Sequence, residues 1–204
     1  MSKRDRQGPA YGAAPSGVAI GSDHAGLELK KKIIAHLREK YPKVEVRDCG
    51  TYTEDRVDYP DIAREVCTCV QAAAPFNRGI LLDGAGVASG IAANKFNGIR
   101  CGTVHDHFST CMGRKHNDVN VISLGGKTLG IEAAKEIVDV FMTCDFEGDR
   151  HLPRLAKLEA IEDQQAGSGG SRGPRSEREL FGAGGSRASV GARASVASPF
   201  KLPN

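Results

Sequence analysis

The sequence predicts an α/β protein built on a five-stranded parallel sheet with helices on both faces. Two observations lead there. Short apolar runs alternate with amphipathic helical patterns five times between residues 17 and 163, the signature of repeated strand–helix units. Polar residues also gather where each run ends, and in open parallel sheets ligands sit at the carboxyl ends of the strands. One composite site along that edge is therefore expected.

The first run is Val18-Ala19-Ile20-Gly21, followed by Ser22-Asp23-His24-Ala25-Gly26. In the helix behind it Leu27, Ile33, Ile34 and Leu37 recur at helical spacing, and Lys30, Lys31, Lys32 and Arg38 are expected on the opposite, solvated side. Val44-Glu45-Val46 forms the second strand, and Asp58-Tyr59-Pro60 opens the next helix with proline in its first turn, where a missing N–H costs nothing. That helix runs on through Ile62, Val66 and Val70.

The third run, Gly79-Ile80-Leu81-Leu82, delivers Asp83 directly into the turn Gly84-Ala85-Gly86 and a helix-like segment. Glycines without a β-carbon let backbone N–H groups approach a ligand, so this loop is expected to hold an anion or a developing oxyanion. The fourth strand spans Ile99 to Val104 and the fifth Val119 to Leu124, with a helix to about His116 between them. A long helix striped by Ile131, Ala134, Ile137, Val138 and Phe141 follows, then a short one from Leu155 to Ile161.

Composition narrows the function. Of the net charge of +3, residues 1–16 contribute +2 and residues 164–204 contribute +4, which leaves the span 17–163 at about −3. A nucleic-acid-binding core is disfavoured, because basicity belongs to the ends of the chain. No apolar run reaches the roughly 18–20 residues that cross a bilayer, and the start lacks the apolar region of a secretory signal. A cytoplasmic setting is expected, with no membrane and no nucleic-acid partner. The six cysteines show no repeated metal spacing and are expected as reduced thiols. Metal at Cys67-Thr68-Cys69 is disfavoured, since the two side chains diverge on a helix. Residues 1–16 are expected as a disordered leader and 164–204 as a disordered Gly/Ser/Arg/Ala tail, in which Arg187-Ala188-Ser189-Val190 recurs as Arg193-Ala194-Ser195-Val196. The tail suits a basophilic kinase or an interaction arm, or is a plain solvated extension.

Taken singly, the polar residues have ordinary readings too. His36 reads as a surface residue, His105 and His107 as capping or supporting groups, and Asp106 as the cap of the fourth helix. The Gly84-x-Gly86 pattern alone would permit a dinucleotide, but no third glycine follows in place and the next strand lacks a terminal acid, ending instead at His105. Arg114, His116, Asn117 and Asp118 crowd polar groups before a buried strand. Arg150 and Arg154, four apart, fit one helical face and a phosphate.

Eight motifs occur in order: Gly21-x-Asp23-His24-x-Gly26, Asp58-Tyr59-Pro60, Ile91-Ala92-Ala93-Asn94-Lys95, Gly98-Ile99-Arg100, His105-Asp106, Arg114-x-His116-Asn117-Asp118, Gly125-Gly126 and Arg150-His151-x-x-Arg154. Together they resemble ribose-5-phosphate isomerase type B, the family that includes the galactose-6-phosphate isomerase subunits, over residues 17–163. The resemblance implies a Rossmann-like three-layer αβα sandwich that forms dimers, often paired into tetramers, with each active site at the dimer interface. It implies interconversion of aldose and ketose phosphates through an enediolate, without metal or cofactor. By the same resemblance His116 and Asp23 assist ring opening, Asn117 holds sugar hydroxyls, and Tyr59 lines the sugar pocket. His24, Lys127, Arg150 and Arg154 surround the phosphate, and Gly84, Gly86 and Gly90 of the loop bind substrate as well. Lys127 stands where the family usually has arginine, giving charge without a bidentate fork.

The chain departs from that pattern in the loop. The family's base is a cysteine where this chain has Asp83, or, in a second branch, a glutamate where it has Ser89. Ala85 replaces a hydroxyl-bearing residue. Asp83 is the candidate base, since carboxylates remove protons next to carbonyls when suitably placed. The leading expectation is an isomerase converting ribose 5-phosphate to ribulose 5-phosphate. The alternatives are a sugar-phosphate-binding or regulatory homologue, and a protein that acts through its tail.

Overall fold

A computed structural model describes residues 15–72 and 74–168. Five parallel strands, β1 (Gly17–Ser22), β2 (Glu45–Asp48), β3 (Phe76–Asp83), β4 (Cys101–Thr103) and β5 (Val121–Gly125), lie in the order β2-β1-β3-β5-β4. Helices α1 (Leu27–Lys40), α2 (Tyr59–Gln71), α3 (Val87–Ala93), α4 (His107–Asn117) and α5 (Ile131–Thr143) connect or follow them. A 3-10 turn at Asp149–His151 leads into α6 (Leu152–Ser168), which starts earlier than the apolar pattern from Leu155 suggests. The described residues up to Asp163 group into one compact unit. The expected tail lies outside the described residues beyond α6, and so does the leader up to residue 14. Ser16, assigned to that leader by composition, instead bonds the Pro75 carbonyl at 2.6 Å and the Asn77 side chain at 3.2 Å.

Strand alternation builds the two cores. Val18, Ile20, Ile80, Leu82, Ile122 and Leu124 face one side, where Ile33 and Leu37 of α1 and Ile137 and Phe141 of α5 cover them. Ala19, Leu81 and Val121 face the other, against Ala63, Val66 and Val70 of α2 and Ala93 of α3. Period-two alternation in a sheet buried on both faces leaves no polar side, which explains why β1 and β3 read as continuous apolar runs.

Lys30 and His36 depart from the expected solvated face of α1. Lys30 is 1% exposed. Its ammonium is held by Asp48 at 2.5 Å and the Thr51 carbonyl at 2.6 Å, so the helix tethers the loop after β2. Burying a charge requires such partners. His36 is half-buried and pairs with Asp139 of α5 at 2.8 Å; Tyr41 and Lys40 share the same carboxylate. Asp106 does cap α4, accepting from the Ser109 N–H at 2.7 Å.

Candidate active site

The loops after β1, β3 and β5 meet at the carboxyl edge of the sheet. The Asp23 N–H donates to the Leu82 carbonyl at 3.0 Å, the Gly126 N–H to the Asp83 carbonyl at 2.7 Å, and the Lys127 N–H to the Gly84 carbonyl at 3.0 Å. This places Asp23, Asp83, Gly84, Gly86 and Lys127 together, with Lys127 exposed. Tyr59 begins α2, on the same side of a β–α unit, and is partly exposed. The buried Nδ1 of His24 has no hydrogen-bond partner among the described residues. Gly86 adopts φ +81, and a β-carbon there would lie 2.9 Å from the Gly125 nitrogen. Backbone packs against backbone at this point, which only glycine permits.

The two aspartates of this edge fold their own loops. Oδ1 of Asp23 accepts from the N–H groups of Ala25 at 2.8 Å and Gly26 at 3.0 Å. Oδ1 of Asp83 accepts in the same i+2, i+3 pattern from Ala85 at 2.9 Å and Gly86 at 2.5 Å, and its Oδ2 takes the Ser89 N–H at 2.7 Å. Asp83 is 4% exposed. The loop amides expected to receive an external anion are thus filled by the chain's own carboxylate, which caps the seven-residue helix α3. Side-chain volume explains the reversal: an aspartate at the strand end reaches its own i+2 and i+3 amides, the common Asx geometry. Oδ2 of Asp23, in contrast, has no partner among the described residues.

The remaining candidates lie elsewhere. His116 and Asn117 end α4, which runs back from the carboxyl edge and delivers them where β5 begins. The Asn117 carbonyl accepts from Arg100 Nε at 3.0 Å, just ahead of β4. From Gly79, paired with Val121, to Asp83, paired with Gly125, is four residues, or about 13 Å of strand. The candidate residues of one chain therefore fall into two clusters at opposite ends of its strands, and the single composite edge expected from sequence is corrected. The expectation failed because it gathered the polar clusters at the strands' carboxyl ends, although Arg114–Asp118 stands ahead of β5 and so falls at the opposite end.

The amino-edge half is assembled from side chains. Asp118 adopts φ 44 and is clamped on one oxygen by Arg114 at 2.7 Å and on the other by Arg100 at 2.9 Å. Arg114 also donates to the Val119 carbonyl at 2.6 Å. The clamp fixes the turn that carries His116 and Asn117. The His116 ring stacks on His151, centroids 4.4 Å apart. Arg150 and Arg154 reach the two ring nitrogens of His151, each at 3.2 Å. Arg150 sits in the 3-10 turn rather than on a shared α-helical face, and the pair converges by flanking His151. Glu147 lies 3.8 Å from His116 Nε2 and 3.6 Å from His151 Nε2. Burial, then the charges of His116, Arg150 and Arg154, hold His151 below the usual imidazole range.

His116, Glu147 and His151 form the sole group of potential metal ligands among the described residues. Two guanidinium groups on the central imidazole make it a poor cation site and a good anion site. Glu147 was not singled out in the sequence, because a lone glutamate before Gly148 carries no pattern. His151 stood inside the Arg150–Arg154 motif, and its burial was the missing signal.

The sequence profile described as Ribose/Galactose Isomerase matches residues 18–158. Ribose-5-phosphate isomerase B of Escherichia coli (strain K12) is 43% identical over 148 residues, which span 72% of this chain and 97% of that protein. The Clostridium thermocellum ribose-5-phosphate isomerase B structure superposes with a TM-score of 0.70 at 38% identity, covering 72% of this chain and 98% of that one. The type B ribose 5-phosphate isomerase of Trypanosoma brucei gives 0.68 at 40% identity, covering 71% and 97%. A match of this extent, together with the shared sheet, places the chain in the ribose/galactose isomerase family.

Proposed function

We propose that this protein is an aldose–ketose isomerase of phosphorylated sugars, acting in the cytoplasm as a homodimer, with ribose 5-phosphate and ribulose 5-phosphate as its leading pair. The observation that supports a shared site is the separation of the two half-sites. In a two-fold dimer the carboxyl edge of one protomer faces the amino edge of its partner, and each interface then completes two sites. Within such a site Arg150, Arg154, Lys127 and His24 receive the phosphate, and Asn117 and Tyr59 hold the sugar. His116 and Asp23 move the proton that opens the ring. The base then takes the C2 proton and returns it to C1 through the enediolate, and no metal or cofactor takes part.

Asp83 is the base in this reading, since it holds the family's position at the end of β3. One observation favours a second reading, a sugar-phosphate-binding homologue of weak or no activity: three loop amides already occupy the Asp83 carboxylate. Solvent-deuterium incorporation at C2 of ribose 5-phosphate, followed by NMR, separates the cases. Exchange in the parent that vanishes in Asp83→Asn assigns the base to Asp83. Exchange that survives in Asp83→Asn but vanishes in Asp23→Asn moves it to the carboxylate with the open oxygen. Sugar-phosphate binding with no exchange in the parent establishes the binding homologue for that substrate.

A further inference from the structure

Cys111 and Cys144 stand apart from the residues assigned to the reaction, yet they brace the amino-edge half-site. Cys111 lies midway along α4 and Cys144 caps α5, with their sulfurs 3.2 Å apart. Both are free thiols and both are only partly buried. The backbone around them is tied together. The Cys144 S–H donates to the Cys111 carbonyl at 3.6 Å, Arg114 Nε donates to the Cys144 carbonyl at 3.3 Å, and the Glu147 N–H donates to the Lys115 carbonyl at 3.0 Å. The short segment from Cys144 to Gly148 therefore straps α5 to α4 and leads into the turn that bears Arg150 and His151.

We propose that Cys111 and Cys144 form an intrachain disulfide on exposure to a peroxide, fastening this strap to α4. A bonded pair of sulfurs sits about 2.05 Å apart, so closure needs an approach of only about 1.2 Å. The steps balance. One thiol, which the geometry assigns to Cys111, gives its electron pair to a peroxide oxygen; sulfenic acid forms and one water leaves. Cys144 sulfur then attacks the Cys111 sulfur, the S–S bond forms, and the displaced hydroxide leaves as a second water with the Cys144 proton. Two thiols are oxidised by two electrons and the peroxide is reduced to two waters. Cys144 is the resolving partner because its S–H is already donated to the Cys111 carbonyl, and burial, then its hydrogen bond with Cys111, pushes its thiol up to about 11.

A second pair within the chain provides a comparison. Cys49 and Cys69 are 4.0 Å apart, but Cys69 is buried and burial pushes the Cys49 thiol up to about 12. Reaction with peroxide tracks thiolate character and access, so this pair is expected to react later.

The test uses the full chain, reduced, desalted and titrated with hydrogen peroxide, then alkylated, digested and mapped by mass spectrometry. The expected result is a Cys111–Cys144 cross-linked peptide, lighter by two hydrogens, forming before any Cys49–Cys69 cross-link. It is absent from both Cys111→Ser and Cys144→Ser. The oxidised parent is expected to melt about 5 °C above the reduced one, a difference that either variant removes. Both thiols recovered as alkylated cysteine while other cysteines oxidise would overturn the proposal. So would Cys111 passing to sulfinic acid without a cross-link, or Cys144 linking only between chains. A cross-link that leaves the melting temperature unmoved would refute the fastening of the strap.

Discussion

The two edges of the sheet solve the same task by different means. At the carboxyl edge, Asp23 and Asp83 shape their loops by accepting backbone N–H groups, and side chains such as Lys127 project from a main-chain frame. At the amino edge the frame is made of side chains: two arginines on Asp118, two more around His151, and a pair of stacked imidazoles. The difference teaches where each half is vulnerable. The first depends on glycine and on loop length; the second depends on a charge network in which every member has a partner to lose.

The largest effect tests whether the halves cooperate across protomers. Asp23→Asn damages one edge and His116→Asn the other, and each alone is expected to lose about 10²–10⁴-fold in kcat/KM, the usual span for an acid–base group. Mixed by refolding together, half of the dimers carry one of each, and each of those holds one intact site. Activity should recover to about a quarter of the parent's. A mixture no more active than its components would sink the shared site.

A smaller effect separates the two kinds of frame. Arg114→Met preserves side-chain length but leaves Asp118, 3% exposed, with Arg100 alone. Removing one partner of a buried ion pair costs about 3–5 kcal/mol, here toward the lower end because Arg100 remains. Urea unfolding should show that loss, while the Asp23 and Asp83 loops, which share no contact with Arg114, keep their hydrogen-exchange protection. Loss of protection at both edges together would mean that they are one cooperative unit.

The smallest effect is a dependence on pH confined to the amino edge. Unfolded His151 takes its proton near 6.5, whereas the folded group takes it only at lower pH. Over that window the unfolded state binds more protons, so stability falls as pH drops through the ordinary imidazole range. His151→Gln should flatten this part of the stability profile. An unchanged slope would assign the titration to another group.

Much of this is legible in the sequence. The five strands, their parallel arrangement and the helix stripes follow from apolar spacing, because a sheet buried on both faces demands it. Pro60 and Asp106 mark helix starts through local chemistry that needs no tertiary context. What the sequence did not reveal depends on distant partners. Lys30 reads as solvated until Asp48 and the Thr51 carbonyl are brought to it by the β1–β2 pairing. His36 needs Asp139, 103 residues away, to become part of the α1–α5 contact. The splitting of the site is the same kind of omission. Adjacency along the chain says nothing about which end of the sheet a helix returns to until strand order and helix length are combined.

The Asp83 loop has a further consequence for any anionic ligand that approaches it. A carboxylate held on the same backbone as the amides it binds acts as a tethered competitor, present at a local concentration that no free metabolite matches. Substituting Asp83 by cysteine would therefore do two things at once: it would introduce a thiol and vacate three N–H donors. Such a variant should lose stability and gain affinity for oxyanions, so the residue at the end of β3 sets a balance between a self-sealed loop and a receptive one.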